Sequence, residues 1–416
     1  MTERVVITGL GAITPLGPDV SSTWDGLVDG RSGIGPITLF DASEMDSRIA
    51  GEIKSFDPDT LLSPRESRRL DRFSQFALVA ARQAIADAGL TIDASNSEEI
   101  GVLMGSGIGG IITLSEQLEV LRTKGPRRVS PFLIPMFIID LAAGQVAIAT
   151  GARGPNFGIV SACATSAHAI GEAAEIIKRG DAKAMIAGGS EAGVLPIGVA
   201  GFASMKALST HRNDQPERAS RPFDAERDGF VIAEGGGAVI LEAESYARER
   251  GARIYAELAG YGATDDAFHV TSPAEDGDGA VRAMRRALSK AGLDPAEVHY
   301  INAHGTSTLP GDRIETAAVK EVFGIQAARI PMSSTKSMTG HMLGAAGVVE
   351  AIVCIKTIEQ GIIPPTLNYE HPDAACDLDY VPNTARQQHV DIALTNSFGF
   401  GGHNVSLVLR RYDGAA

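Results

Sequence analysis

Short apolar runs alternate with longer helical stretches along the chain, and the alternation recurs in order. The run Arg4–Val6 leads into ITGLGAIT (7–14), and the run RIYAE (253–257) leads into LAGYGATD (258–265). Next, ARQAIADAGL (81–90) matches MRRALSKAGL (284–293). Each predicts the end of a helix capped by a glycine, Gly89 or Gly292. Each is followed by an apolar strand and a glycine-bearing loop, EIGVLMGSG (99–107) and VHYINAHGT (298–306). A helix after Cys163 ends near Gly180, and one after His341 ends near Gly361. The strand and turn AMIAGGSEAG (184–193) follows the first, and IALTNSFGFGG (392–402) the second.

Strands alternating with helices predict an α/β fold, with central sheets covered by helices. The ordered matches predict a duplication, with halves at 1–254 and 255–416. No low-complexity linker separates the halves, so a shared core is expected.

Composition narrows the class. A chain of 416 residues that is 44% hydrophobic has material for a large core. Aromatics are scarce at 5%, while 47 glycines favour tight packing over disorder. A formal charge of −14 argues against a nucleic-acid binder. The three cysteines show no CxxC spacing, so neither a zinc cluster nor a disulfide framework is implied. The start MTERVVITG lacks the apolar core of a signal peptide, and no run of 18 apolar residues suggests a membrane span. A reduced, soluble, cytoplasmic protein is expected.

Cys163 has an apolar strand before it and a small-residue helix after it. A cysteine at such a turn faces the positive end of the helix dipole, which should lower its pKa from about 8.5. Thiolates form thioesters readily, so acyl transfer is the natural chemistry. The small neighbours Ala162, Ala164 and Ser166 leave room for a substrate chain. A buried, inert cysteine is the competing reading, and it fits Cys354 and Cys376 better.

Among nine histidines, His304 and His341 stand out. Both fall in loops at strand ends, where α/β active sites gather. Neutral imidazole N–H groups aimed at a developing oxyanion would stabilise an enolate. Lys336, in SSTKSMTGH, is either exposed or buried against a carboxylate, with Glu350 as candidate partner. In NSFGFGGHN (396–404), a backbone N–H could complete an oxyanion hole with that of Cys163, and Phe400 could gate a pocket.

The set VSACATSAHAIG, NAHGTST, SSTKSMTGHMLGAAG and NSFGFGGHN resembles the elongating β-ketoacyl-acyl carrier protein synthases, most closely the type II synthases (KAS II). The likeness extends to VVITGLGAITPLG, AMIAGGSEA and SRPFDAERDGFVIAEG, and so spans nearly the whole chain. It implies the thiolase fold, a duplicated α/β unit in five α-β-α-β-α layers, as a homodimer. It implies decarboxylative Claisen condensation in fatty-acid elongation, with Cys163 as acyl-accepting nucleophile. By the same resemblance His304 and His341 assist malonyl decarboxylation, and Lys336 with Glu350 organises the site. Asp312 and Glu315 resemble further members of that network, although helix capping explains them equally well. The oxyanion hole would be the N–H groups of Cys163 and Phe400. Thr306 and Thr308 resemble pantetheine contacts, and Ile108, Ala162, Gly198 and Phe202 the acyl-pocket lining. No cofactor or metal is implied.

Three positions depart from the pattern. Leu133 stands where many relatives carry an aromatic, which would widen the pocket. Asp140 replaces an Asn, and Leu309 breaks a TSTP run. Two basic clusters interrupt the acidic chain, PRESRRLDR (Arg65, Arg68, Arg69, Arg72) and LRTKGPRR (Arg122, Lys124, Arg127, Arg128). They fit docking of acidic acyl carrier protein.

A Rossmann oxidoreductase would need glycine where Thr14 stands, and Pro15 interrupts its helix. A thiolase would carry a second catalytic cysteine near the C-terminus. An initiating synthase would show a Cys–His–Asn set, and a chain-length factor would lack the nucleophile. A polyketide ketosynthase is not separated by motifs.

Overall fold

The computed structural model describes residues 3–414 except Ser55. Ten strands build one sheet. The first five are β1 (Val5–Ile13), β2 (Ile100–Gly105), β3 (Asn156–Ile159), β4 (Ala184–Glu191) and β5 (Gly235–Ala243). The second five are β6 (Ala256–Asp265), β7 (Tyr300–Asn302), β8 (Met332–Ser333), β9 (Ile392–Gly399) and β10 (His403–Arg411). Six of the helices among the described residues form two sets of three: α1 (Arg72–Ala88), α2 (Leu141–Thr150), α3 (Thr165–Lys178), then α4 (Asp278–Ala291), α5 (Leu309–Phe323), α6 (Ala346–Gln360).

The spatial order is β8-β7-β9-β10-β6-β1-β5-β4-β2-β3. Read outward from the middle, each half repeats one pattern of two antiparallel and two parallel pairings. The halves join through a short antiparallel contact, Val6 with Glu257 and Ile7 with Ala256. The duplication expected from the repeats is therefore present strand by strand.

Three apolar clusters fill the layers. The central one combines α3 and α6, sandwiched between the halves, with residues of both sets of strands. One outer cluster packs α1 and α2 on the first half. The other packs α4 and α5 on the second. The result is the five-layered α-β-α-β-α arrangement.

The paired glycines of ITGLGAIT and LAGYGATD lie inside β1 and β6, not in a phosphate-binding turn. A Cβ at Gly9 would stand 2.2 Å from Ala84 O, and one at Gly11 2.0 Å from Ala80 O. Gly260 and Gly262 meet Ala287 O and Ala283 O of α4 equally closely, both at 2.1 Å. These glycines let a helix lie directly on a strand. Their position removes the Rossmann reading. Gly89 and Gly292 end α1 and α4 in the left-handed conformation, with φ 57° and 66°. No helix among the described residues is long and apolar enough to cross a membrane.

Candidate active site

Each half turns from its edge strand into its central helix through a single-turn elbow. Ala162 takes φ 50° before Cys163, and Leu343 takes φ 47° before Gly344. Left-handed non-glycine residues are strained and mark over-determined sites. Thr165 Oγ1 braces the first elbow by accepting from the Ser161 N–H at 2.9 Å.

Cys163 is 7% exposed, and its sulfur lies 2.9 Å from His341 Nε2. Cys163 Sγ and one ring nitrogen each of His304 and His341 all fall within 4.8 Å of one another. The two imidazoles meet edge to face, with centroids 5.5 Å apart. Both histidine loops leave neighbouring parallel strands, β7 and β8. Glu315 of α5 fixes the first loop, accepting from His304 N at 2.9 Å and Gly305 N at 2.8 Å. The segment before β5 fixes the second. His341 N donates to Val231 O at 2.8 Å, and Ala233 N donates to His341 O at 3.0 Å.

Lys336 is 2% exposed and its ammonium donates to Glu350 of α6. The buried alternative is thus the observed one. Burial pushes the Glu350 carboxyl up to about 7, against the opposing pull of Lys336. Burial, aided by the Lys336 charge, holds both imidazoles well below their usual 6.5. They are neutral at pH 7 and suited to donate or accept.

One expectation fails here. Cys163 does precede α3, yet burial pushes its thiol up to about 12. Lys336 and the Phe400 N–H pull the other way without prevailing. Desolvation of a thiolate outweighs the helix terminus. The sulfur is a thiol, hydrogen-bonded to an imidazole.

The Phe400 backbone N–H faces this sulfur and favours its ionised form. The turn after β9 can approach because Gly399 lacks a Cβ, which would stand 2.6 Å from Ser161 O and 3.1 Å from Cys163 N. A cavity of about 510 Å³ opens above these groups. Ile108, Ala162, Phe202, Thr306, Thr308 and Phe400 line it. Gly198 does not. A Cβ there would stand 2.4 Å from Gly193 O, in the turn that leads into its own helix.

Other expectations need correction. Leu133 is not on the wall of this cavity; it starts the short helix Leu133–Phe137 on an exposed apolar face. Asp140 precedes α2 without capping it. Leu309, 45% exposed, sits at the cavity mouth. Arg72 leaves the basic cluster, because it pairs with buried Glu234 at 2.6 Å and stacks over Phe76. Arg122 is neutralised by Glu119. Arg65, Arg68, Arg69, Lys124, Arg127 and Arg128 are all exposed. Arg69 lies over the Phe132 ring at 5.0 Å, bringing the two basic segments onto one side.

Four contributors carried no assigned role in the sequence reading: Glu191, Arg227, Phe230 and Phe398. Arg227 is buried and ties Thr308 O (3.1 Å) and Leu309 O (3.1 Å) to Asp373 (2.9 Å). Phe230 packs edge to face on His341, and Phe398 on His304. Glu191 at the end of the apolar run AMIAGGSE, and the charge-dense segment SRPFDAERDGF, were the available signal.

Residues 2–247 match the N-terminal domain of β-ketoacyl synthases, and residues 255–370 the C-terminal domain. The chain is 54% identical over 99% of its length, and 98% of the relative's, to 3-oxoacyl-[acyl-carrier-protein] synthase 2 of Synechocystis sp.. It is 50% identical to the protein of that name from Coxiella burnetii, with 98% and 99% covered. A type II polyketide ketosynthase, solved with its acyl carrier protein and bound to the hexaketide, superposes with a TM-score of 0.91 at 38% identity, covering 99% of this chain and 100% of that one. The chain belongs to the β-ketoacyl synthase family.

Proposed function

We propose that this protein is a 3-oxoacyl-acyl carrier protein synthase, an acyltransferase that lengthens an acyl chain by decarboxylative Claisen condensation with malonyl-acyl carrier protein. One observation carries the reading: a buried cysteine 2.9 Å from a neutral imidazole, with a second imidazole beside it, at the base of an apolar cavity.

In the first half-reaction Cys163 Sγ attacks the acyl thioester carbon. The thiol proton passes through His341 Nε2 to the departing carrier thiolate. The tetrahedral oxyanion accepts from the N–H groups of Cys163 and Phe400. In the second, the malonyl C–CO2 bond breaks and its electron pair enters the thioester as an enolate. Ring N–H groups of His304 and His341 stabilise the enolate oxygen. The enolate carbon then attacks the Cys163 thioester. Collapse of that adduct expels the sulfur as a thiolate, and a proton from the medium restores the thiol.

Lys336 and Glu350 hold the charge balance beneath the histidines. Thr306 and Thr308, with hydroxyls 3.1 Å apart at the cavity wall, would receive the pantetheine arm. The exposed cations named above would dock the acidic carrier. The exposed apolar face bearing Phe132, Ile134, Ile148, Phe157 and Val160, beside the edge strand β3, fits a homodimer interface. Three free thiols, all buried, fit a cytoplasmic enzyme. The apolar cavity and the greater identity to the 3-oxoacyl-[acyl-carrier-protein] synthases favour a fatty-acyl chain over a polyketide.

The test is to incubate the protein with acyl- and malonyl-carrier protein, following covalent mass and product together, with Cys163→Ser alongside. Acyl mass on Cys163, released CO2 and a product two carbons longer are expected. A wild-type protein that takes no acyl group from any carrier-bound chain overturns the reading.

A further inference from the structure

Glu191 ends β4 and is fully buried, yet its hydrogen bonds come from uncharged donors. Ser106 Oγ donates to Oε1 at 2.6 Å and Ile108 N at 3.2 Å. Gly107 N donates to Oε2 at 2.7 Å and Gly344 N at 3.0 Å. Ser106 Oγ is itself committed, accepting from Gly109 N at 2.9 Å.

The donors come from both halves of the molecule. Ser106, Gly107 and Ile108 leave β2, whereas Gly344 belongs to the elbow before α6. The two backbones touch there: a Cβ at Gly344 would stand 2.5 Å from Gly107 N. One residue along each strand of this junction lies a wall residue of the cavity, Ile108 on one side and Leu343 on the other. Leu343 sits at φ 47°, a conformation that must be held from outside. The tips of both side chains converge, each 3.5 Å from where a Cβ of Gly193 would be.

We propose that Glu191 is a positioning residue for acyl-chain selection: its carboxylate pins Ile108 and Leu343 and so sets the room available to the chain on Cys163. This rests on the acyl-accepting role given to Cys163 above. A carboxylate accepts at both oxygens, whereas the glutamine amide turns one of them into a donor. Glu191→Gln therefore releases either Ser106 and Ile108 or Gly107 and Gly344. Apolar burial grows with each methylene, so a displaced wall penalises long chains more than short ones.

The experiment measures Cys163 acylation by intact mass, from a series of saturated acyl-carrier proteins, together with CO2 release from malonyl-carrier protein. Glu191→Gln is expected to lower the ratio of long-chain to short-chain acylation by about tenfold, the effect of one or two methylenes of lost burial. Decarboxylation stays within about threefold, a shift below the 1.36 kcal/mol of one decade. Ser106→Ala, which removes one donor and keeps the carboxylate, shifts the ratio the same way by less. An unchanged chain-length ratio in a folded Glu191→Gln protein overturns the proposal, as does a loss equal at all lengths. If that variant does not fold, an unchanged ratio in Ser106→Ala overturns it. Failure of the wild type to acylate at all would instead remove the parent reading.

Discussion

Replacing Gly399 with alanine should separate the two half-reactions. The added Cβ would stand 2.6 Å from Ser161 O, 3.1 Å from Cys163 N and 3.2 Å from Ala164 N. All three are backbone atoms of the elbow, so no flexible side chain can yield. Relief requires the end of β9 and the elbow to part by roughly half an ångström or more, to reach ordinary non-bonded separation. That movement carries the Phe400 N–H away from the sulfur it now faces. Loss of one oxyanion donor costs about 10²–10³ in rate, or ~2.7–4 kcal/mol. Single-turnover acylation of Cys163 should fall by about that factor. Malonyl decarboxylation, which uses the histidine pair, should change by less than about tenfold, under 1.36 kcal/mol. Acylation is read by intact mass, decarboxylation by CO2 release, and folding by melting temperature. If a folded variant loses both activities alike, the oxyanion hole does not belong to Phe400 alone. If it acylates normally, the assignment is wrong.

Further expectations follow from the same geometry. His304→Gln should lower malonyl decarboxylation about 10²–10³-fold, the cost of one oxyanion donor. Both folded imidazoles hold protons less tightly than unfolded ones, so wild-type decarboxylation shows no acid limb at pH 6.5. By linkage, stability falls as pH drops through 6.5, because the unfolded rings take up protons there. Urea titrations across that range should show a shallower slope in His304→Gln; an unchanged slope counts against buried, neutral rings. Lys336→Met leaves Glu350 buried without its cation and should cost about 3–5 kcal/mol in denaturant unfolding. Adding Glu350→Gln should recover most of the loss, and a double variant no better than the single would show that the pair is not coupled. Charge reversal at Arg68 and Arg128 should raise KM for carrier-bound substrates and weaken its salt dependence, while sparing simple thioesters. Equal effects on both substrate types would place docking elsewhere.

Much of the architecture was legible because the repeat is periodic. Gly89 and Gly292 announce helix ends through the left-handed caps they adopt. The GLG and GYG pairs announce equivalent strands, although only the structure shows that they admit α1 and α4 rather than a phosphate. Cys163, His304, His341 and Lys336 stood out because polar residues among small and apolar neighbours need a reason. What escaped depended on long-range approach. Gly198 looks like a pocket residue in a row, but the carbonyl of Gly193 occupies the space beside it. Arg72 belongs to a basic run in sequence, yet Glu234, 162 residues away, claims its guanidinium. The thiol of Cys163 shows the same limit in energy. The helix terminus is readable locally, whereas desolvation is summed over everything that covers the sulfur.

The two elbows show why the duplicated fold carries one reaction centre and not two. Both turn a strand into a central helix through a left-handed residue, Ala162 or Leu343. After the first comes Cys163; after the second comes Gly344, pressed so close to Gly107 N that no side chain fits. The second elbow therefore supplies backbone where the first supplies a nucleophile. Its half contributes instead the side chains that precede it, Lys336 and His341, and the one that follows β7, His304. The site needs both copies because each gives what the other's packing excludes. A nucleophile under a glycine-rich turn needs open space above it. Imidazoles kept neutral by burial need a wall behind them, and the second half, covered by Phe230 and braced by Glu315, provides that wall.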